Sequence, residues 1–117
     1  MKLFVHLEAR NKIRLTAKYI YKTFGDKSRK KFLAEINEIG KLLCVQPNIG
    51  IVEPLLSDSP IMYRSILVQR INKIIYWINN DVIEIVDLWD CRREPIAQAK
   101  GVRERNYLGH KILTIRI

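Results

Sequence analysis

An α+β fold is predicted by three features of this sequence: two N-terminal segments with apolar residues at helical spacing, three strand-like runs in the second half, and turn-forming residues between those runs. The 117 residues are expected to form one domain, with a core over 2–95 and a short C-terminal extension over 96–117. A chain of this length buries roughly two-thirds of the surface that its unfolded form exposes, so it needs no disulfide or metal to fold. Cys44 and Cys91 lie far apart, with no C-x-x-C spacing and no Cys/His cluster, and read as free thiols in a reducing cytosol.

Residues 2–8 read as a first strand, with Leu3, Val5 and Leu7 on one face and Lys2, His6 and Glu8 on the other with Phe4. A helix from Ala9 to Phe24 follows, because Ile13, Ala17, Ile20 and Phe24 recur as one apolar stripe opposite Lys12, Lys18 and Lys22. Gly25 ends it, and Asp26 or Ser28 caps a second helix whose stripe is Phe32, Ile36, Ile39 and Leu43. Pro47 closes that helix and opens a turn-rich loop through Asn48, Gly50, Pro54 and Ser57 to Pro60. Strands are expected at 61–68, 73–79 and 82–89, separated by Gln69 to Asn72 and by Asn79-Asn80-Asp81, as an antiparallel three-strand meander. The run Ile74 to Ile78 is apolar on both faces, which suits a central strand covered by the helices on one side and by another layer on the other. Residues 96–108 can hold a short basic helix, and Ile112, Leu113, Ile115 and Ile117 a terminal strand.

No apolar run approaches the roughly 20 residues of a membrane helix, and the N-terminus alternates like a strand instead of a signal peptide, so a cytoplasmic protein with no membrane partner is expected. A net charge of +9 and a pI of about 9.8 favour nucleic acid, a ribonucleoprotein or an acidic protein as partner. The charge is uneven: residues 1–46 carry a net +7, residues 47–95 a net −2 and residues 96–117 a net +4. The excess therefore belongs to the helices and the tail.

Several local signals occur in a telling order: Ala9 opening the first helix, Tyr19 and Ile20 within it, Pro47-Asn48-Ile49-Gly50, Tyr63-Arg64, Ile75-Tyr76, and Asp90-Cys91-Arg92-Arg93-Glu94-Pro95. Over roughly residues 2–95 this resembles the RelE/ParE superfamily of toxins of bacterial type II toxin-antitoxin modules, many of which end in D-x-R-x-x-P. The resemblance implies a toxin, some members of which act in plasmid stabilization, held inactive by a cognate antitoxin, acidic or partly disordered, encoded beside it. RelE-like members act with the ribosome and cut mRNA; ParE-like members poison DNA gyrase. The resemblance favours the first mode, ribosome-dependent mRNA cleavage, with gyrase poisoning as the alternative; cleavage needs no metal or other cofactor, because the RNA 2′-hydroxyl attacks the adjacent phosphodiester while cations stabilise the transition state. On matching positions Arg64, Lys73, Arg92 and Arg93 become the implied catalytic phosphate clamp. The sequence departs from that pattern at Ile66, where a second basic residue often stands, and at Gln98 or Ala99, where RelE carries a tyrosine.

Each of these residues also has a plain structural use. Arg92 and Arg93 can pair with Asp87, Asp90 or Glu94 at a solvated strand end. Tyr63, Tyr76, Trp77 and Trp89 can stack on bases, but strand aromatics more often fill a core. His6, His110, Glu53 and Glu84 are isolated candidates for proton transfer, and Lys27, Arg29, Lys30 and Lys31 read as a solvated helix start. Two further functions fit the same residues: a non-catalytic basic module that binds nucleic acid through its helical hairpin, and a toxin fold that keeps only its antitoxin-binding role.

Overall fold

A computed structural model describes residues 1–109, with side chains through Arg105; the expected terminal strand and His110 lie outside the described residues. The elements run β1 (Lys2–Val5), α1 (Leu7–Phe24), α2 (Asp26–Val45), β2 (Ile51–Val52), a 3-10 turn (Pro54–Leu56), β3 (Arg64–Val68), β4 (Asn72–Asn79), β5 (Val82–Asp90) and α3 (Pro95–Gly109). The sheet order is β1-β5-β4-β3-β2. β3, β4 and β5 form the expected antiparallel meander, while β1 pairs in parallel with β5 and β2 pairs antiparallel with β3. Among the described residues no helix is long and apolar enough to cross a membrane.

The element boundaries differ from the sequence expectation where alternation and helical spacing overlap. The first strand stops at Val5, and its last sheet bond runs from the His6 amide to Ile85 O at 2.8 Å. His6 then occupies the helix N-cap, Glu8 lies in the first turn where a carboxylate suits the helix dipole, and Leu7 is exposed. Between the helices Gly25, at φ 96°, is both the C-cap of α1 and the N-cap of α2. Neither Asp26 nor Ser28 holds the cap, because the left-handed junction is one that glycine alone adopts without strain. Asp26 falls in the first turn and pairs instead with Arg29 and Lys30. The strand expected over 61–68 also shortens, to start at Arg64, and β2 inside the expected loop is a strand only because Ile51 and Val52 find Ser65 and Arg64 opposite them.

Both faces of the sheet are covered. On one, Ala9 and Ala17 of α1 with Phe32, Ile39 and Leu43 of α2 pack on Val68, Ile74, Tyr76, Ile83, Ile85 and Leu88. Fully buried Phe32 and Leu43 each contribute roughly 1.5–3 kcal/mol through burial. The other layer is α3 with the 3-10 turn: Leu56, Ala99 and Val102 close over Tyr63, Ile75, Val86 and Trp89. Phe24 leaves the predicted α1 stripe, at 66% exposed, because the core beneath α1 ends at Ile20 and the last helical turn overhangs a surface groove.

Tyr76 shows how the central strand fixes the loop after α2. Its ring is fully buried, its hydroxyl donates to Pro47 O at 2.7 Å, and it accepts the Gly50 amide at 3.0 Å. A side chain at residue 50 would bring a Cβ within 2.7 Å of both Ser65 O and the Tyr76 hydroxyl. Tyr76→Phe is therefore expected to cost about 1–3 kcal/mol, by leaving the buried Gly50 amide and the part-buried Pro47 carbonyl without their partner. Gly50→Ala should destabilise through the same contact, so urea unfolding of the double variant should show less than the sum of the single losses.

Candidate functional site

The four cations implied by the family resemblance occupy three separate environments. Arg64 opens β3, opposite Val52 and Tyr76 in the ladders. Its guanidinium turns back to the loop, where Nη1 donates to Gly50 O at 2.8 Å and to Asn48 O at 3.5 Å. Lys73 lies on β4 opposite Leu67 and Trp89. Its Nζ is 2.6 Å from Glu53 Oε1 and 5.3 Å from the centre of the Trp89 ring, on the side of the sheet that carries α3.

Strand geometry separates these two cations. Side chains alternate between faces along a strand, and cross-strand partners share a face. Arg64 pairs with Tyr76, whose ring belongs to the core under the helical hairpin; Lys73 is three residues from Tyr76 and pairs with Trp89, which belongs to the core under α3. Arg64 and Lys73 thus project from opposite faces.

Arg92 and Arg93 follow β5. Arg92 grips Asp90 with two bonds, Nε to Oδ1 at 3.1 Å and Nη2 to Oδ2 at 3.0 Å. Arg93 Nε lies 3.8 Å from Asp90 Oδ2, and its side chain is 80% exposed. The hydrogen bonds from Arg92 hold the Asp90 carboxyl below its usual range, and the same contact raises the Arg92 pKa. Asp90 pairs with Asn72, four residues before Tyr76 on β4, so this end of the ladder is roughly 13 Å from the Arg64 level at about 3.3 Å per residue. Here Arg92 and Arg93 share a groove with Tyr19, Phe24 and Arg70, the last being a cation that the sequence reading passed over.

The remaining candidates are largely built into the structure. Tyr63, Tyr76 and Trp89 are buried and Trp77 packs partly against the α3 layer, so none of the first three presents an open ring face for a base. Burial pushes the Tyr63 hydroxyl up to about 12, which keeps it protonated at neutral pH. His6 Nε2 and Glu84 Oε1 are 2.7 Å apart, and Asn79 Nδ2 donates to Glu84 Oε2 at 2.6 Å, so this pair ties the start of α1 to β4 and β5. Glu53, 1% exposed, accepts from Lys73 and from the Leu55 amide at 3.0 Å. Burial pushes its carboxyl up, but the hydrogen bond from Lys73 and the other contacts outweigh that and hold it below its usual value.

No family model matches the sequence, and no curated protein matches it. Among solved structures, a chain of the chromosomal ParDE TA system from P. aeruginosa is similar, with a TM-score of 0.63 and 20% identity over 77% of this chain and 95% of that one. The likeness is one of fold.

The Glu53 environment predicts an acid limb in stability. A depressed carboxyl stabilises above its unfolded value, about 4.3, and that contribution is lost as pH falls through the folded value. Glu53→Gln should therefore lower the thermal midpoint at pH 7 and flatten its decline below about pH 4.3, as read by circular dichroism.

Proposed function

We propose that this chain is the toxin of a type II toxin-antitoxin module, working in the cytoplasm, and that it acts by binding a large target in the ParE-like manner, with DNA gyrase as that target. The reading rests on the fold likeness to a ParDE chain, the order of local motifs, and a basic helical hairpin suited to an acidic antitoxin. Mode of action turns on one observation: Arg64 and Lys73 project from opposite faces of the sheet, and each is already engaged inside the fold.

A metal-free RNA cleavage site needs cations converging on one phosphate, together with a group able to take the 2′-hydroxyl proton at neutral pH. Lys73 is neutralised by a buried carboxylate under a covered face, and Tyr63 holds its proton up to about 12. Arg93, by contrast, is exposed beside a groove and available to a partner surface. That distribution suits recognition of a macromolecule better than attack on a phosphodiester.

Induction of the chain in a bacterium, with and without the product of the neighbouring reading frame, tests the reading. Growth arrest relieved by that neighbour, gyrase trapped in cleaved DNA and intact mRNA on programmed ribosomes are the expected results. Metal-independent cleavage of ribosome-bound mRNA, abolished by Arg64→Ala and by Lys73→Ala, would replace the gyrase target with the ribosome. Arg93→Ala should weaken growth arrest with unchanged far-UV circular dichroism, since its side chain is exposed; Lys73→Ala should act through lower stability, because it strands Glu53.

A further inference from the structure

We propose that the outer face of α1 binds the phosphate backbone of duplex DNA through a row of four cations, Arg10, Arg14, Lys18 and Lys22. They recur every four residues, so each stands about one helical turn beyond the last, and the row runs about 18 Å along the helix. All four are exposed, and Arg10, Arg14 and Lys18 border an open trough between α1 and the first turns of α2. Among the described residues none of the four has an ion pair, and Arg14 makes one long bond, to Asn11 Oδ1 at 3.5 Å.

Helix stability does not favour this arrangement. Like charges at i and i+4 repel, and the row contains three such pairs in succession. Arg10 adds a cation near the positive end of the helix dipole. α1 carries one carboxylate, Glu8, against five cations, and the fifth of these, Lys12, turns inward to Asp87 at 2.8 Å. On α2, by contrast, Asp26 holds Arg29 and Lys30, and Glu38 lies 3.6 Å from Lys41. Solvent ions can screen an open row, but a polyanion meets all four charges at once and releases those ions.

Spacing and composition select the polyanion. Steps of about 6 Å along α1 are of the order of the distance between successive phosphates on a nucleic-acid strand, and the long side chains absorb the difference. Two of the four positions are lysine, a residue that the centre of a protein interface sheds. Single strands need open aromatic faces for their bases. The aromatic ring that lines the trough, Tyr21, has the Arg29 guanidinium over it, 5.5 Å from its centre. A duplex asks only for phosphate contacts. The choice of DNA over RNA rests on the gyrase reading, since that target holds duplex DNA; the cation row itself does not.

The probe is a labelled DNA duplex of arbitrary sequence, compared with an RNA duplex and a DNA single strand of the same sequence and with polyglutamate. Fluorescence anisotropy across a salt series should give a log affinity that falls with log salt at a slope of about −3.6, as four neutralised phosphates require. Arg14→Gln and Lys18→Gln should each make that slope shallower by about one and weaken binding severalfold whatever the sequence. Their thermal midpoints should stay level or rise, because repulsive pairs are removed. Lys41→Gln with Lys100→Gln removes as much charge as those two changes together, from exposed sites elsewhere, and should leave the slope as it was. Absence of duplex binding, an equal loss of slope in that control, or tighter binding of the RNA duplex, the single strand or polyglutamate would each overturn the proposal. Duplex binding by a chain that traps no gyrase would keep the row and discard the gyrase reading; gyrase trapping by a chain that binds no duplex would do the reverse.

Discussion

A pleated strand sends successive side chains to opposite faces, and in this protein both faces of the sheet are covered, one by the helical hairpin and the other by α3. That constraint governs every charged residue in the meander. A cation on β3 or β4 emerges on the side of one layer or the other and, half-buried there, takes its partners from that side. Arg64 finds backbone carbonyls of the loop after α2, and Lys73 finds Glu53. Of the cations in and just after the meander, those that remain open lie where the sheet ends, at the β3–β4 turn and beyond β5. The meander's open positive charge thus lies at the rim of the sheet and not in its middle.

The same sheet is fastened to its two layers by a break in its own regularity. Ile75 pairs with Asp87 and Tyr76 with Ile85, which leaves Val86 as an extra residue in β5. A bulge of this kind re-aims the residues beside it. Asp87, fully buried, receives Lys12 of α1 at 2.8 Å on one oxygen, and Trp89 Nε1 at 3.0 Å and Arg105 of α3 at 2.8 Å on the other. β1 stops pairing at Ile85, so this half of β5 has no neighbouring strand on that side, and α1 comes close enough for Lys12 to reach it. One carboxylate therefore connects the hairpin, the sheet and α3. Arg103 adds a second tie between α3 and the loop before β3, donating to Leu55 O and Asp58.

Local signals were legible in the sequence where one element's own spacing decides the outcome. The two helices, the Gly25 junction, the three meander strands and the central position of Ile74 to Ile78 all follow from periodicity and turn chemistry. Features that depend on distant residues were not. β2 exists through its pairing with Ser65 and Arg64, β1 joins β5 across the whole hairpin, and Glu53 meets Lys73 twenty residues away. Phe24 kept its place in the helical stripe but lost the sheet beneath it. The separation of Arg64 from Lys73 was nearly readable: a three-residue turn from Gln69 to Ile71 sets Val68 opposite Asn72, and counting from there puts Arg64 opposite Tyr76, an odd number of positions from Lys73. Arg70 escaped notice because positive φ at an arginine has no signature in composition or spacing.

The central claim is that Arg64 and Lys73 cannot serve one phosphate. It is tested most directly by NMR titration of a short RNA made uncleavable with a 2′-deoxy substitution, following the side-chain nitrogens of Arg64 and Lys73. Two faces predict that the signals do not respond together: any shift at one comes without a matching shift at the other. A concerted movement of both with a single binding constant would contradict the account and restore a shared phosphate site.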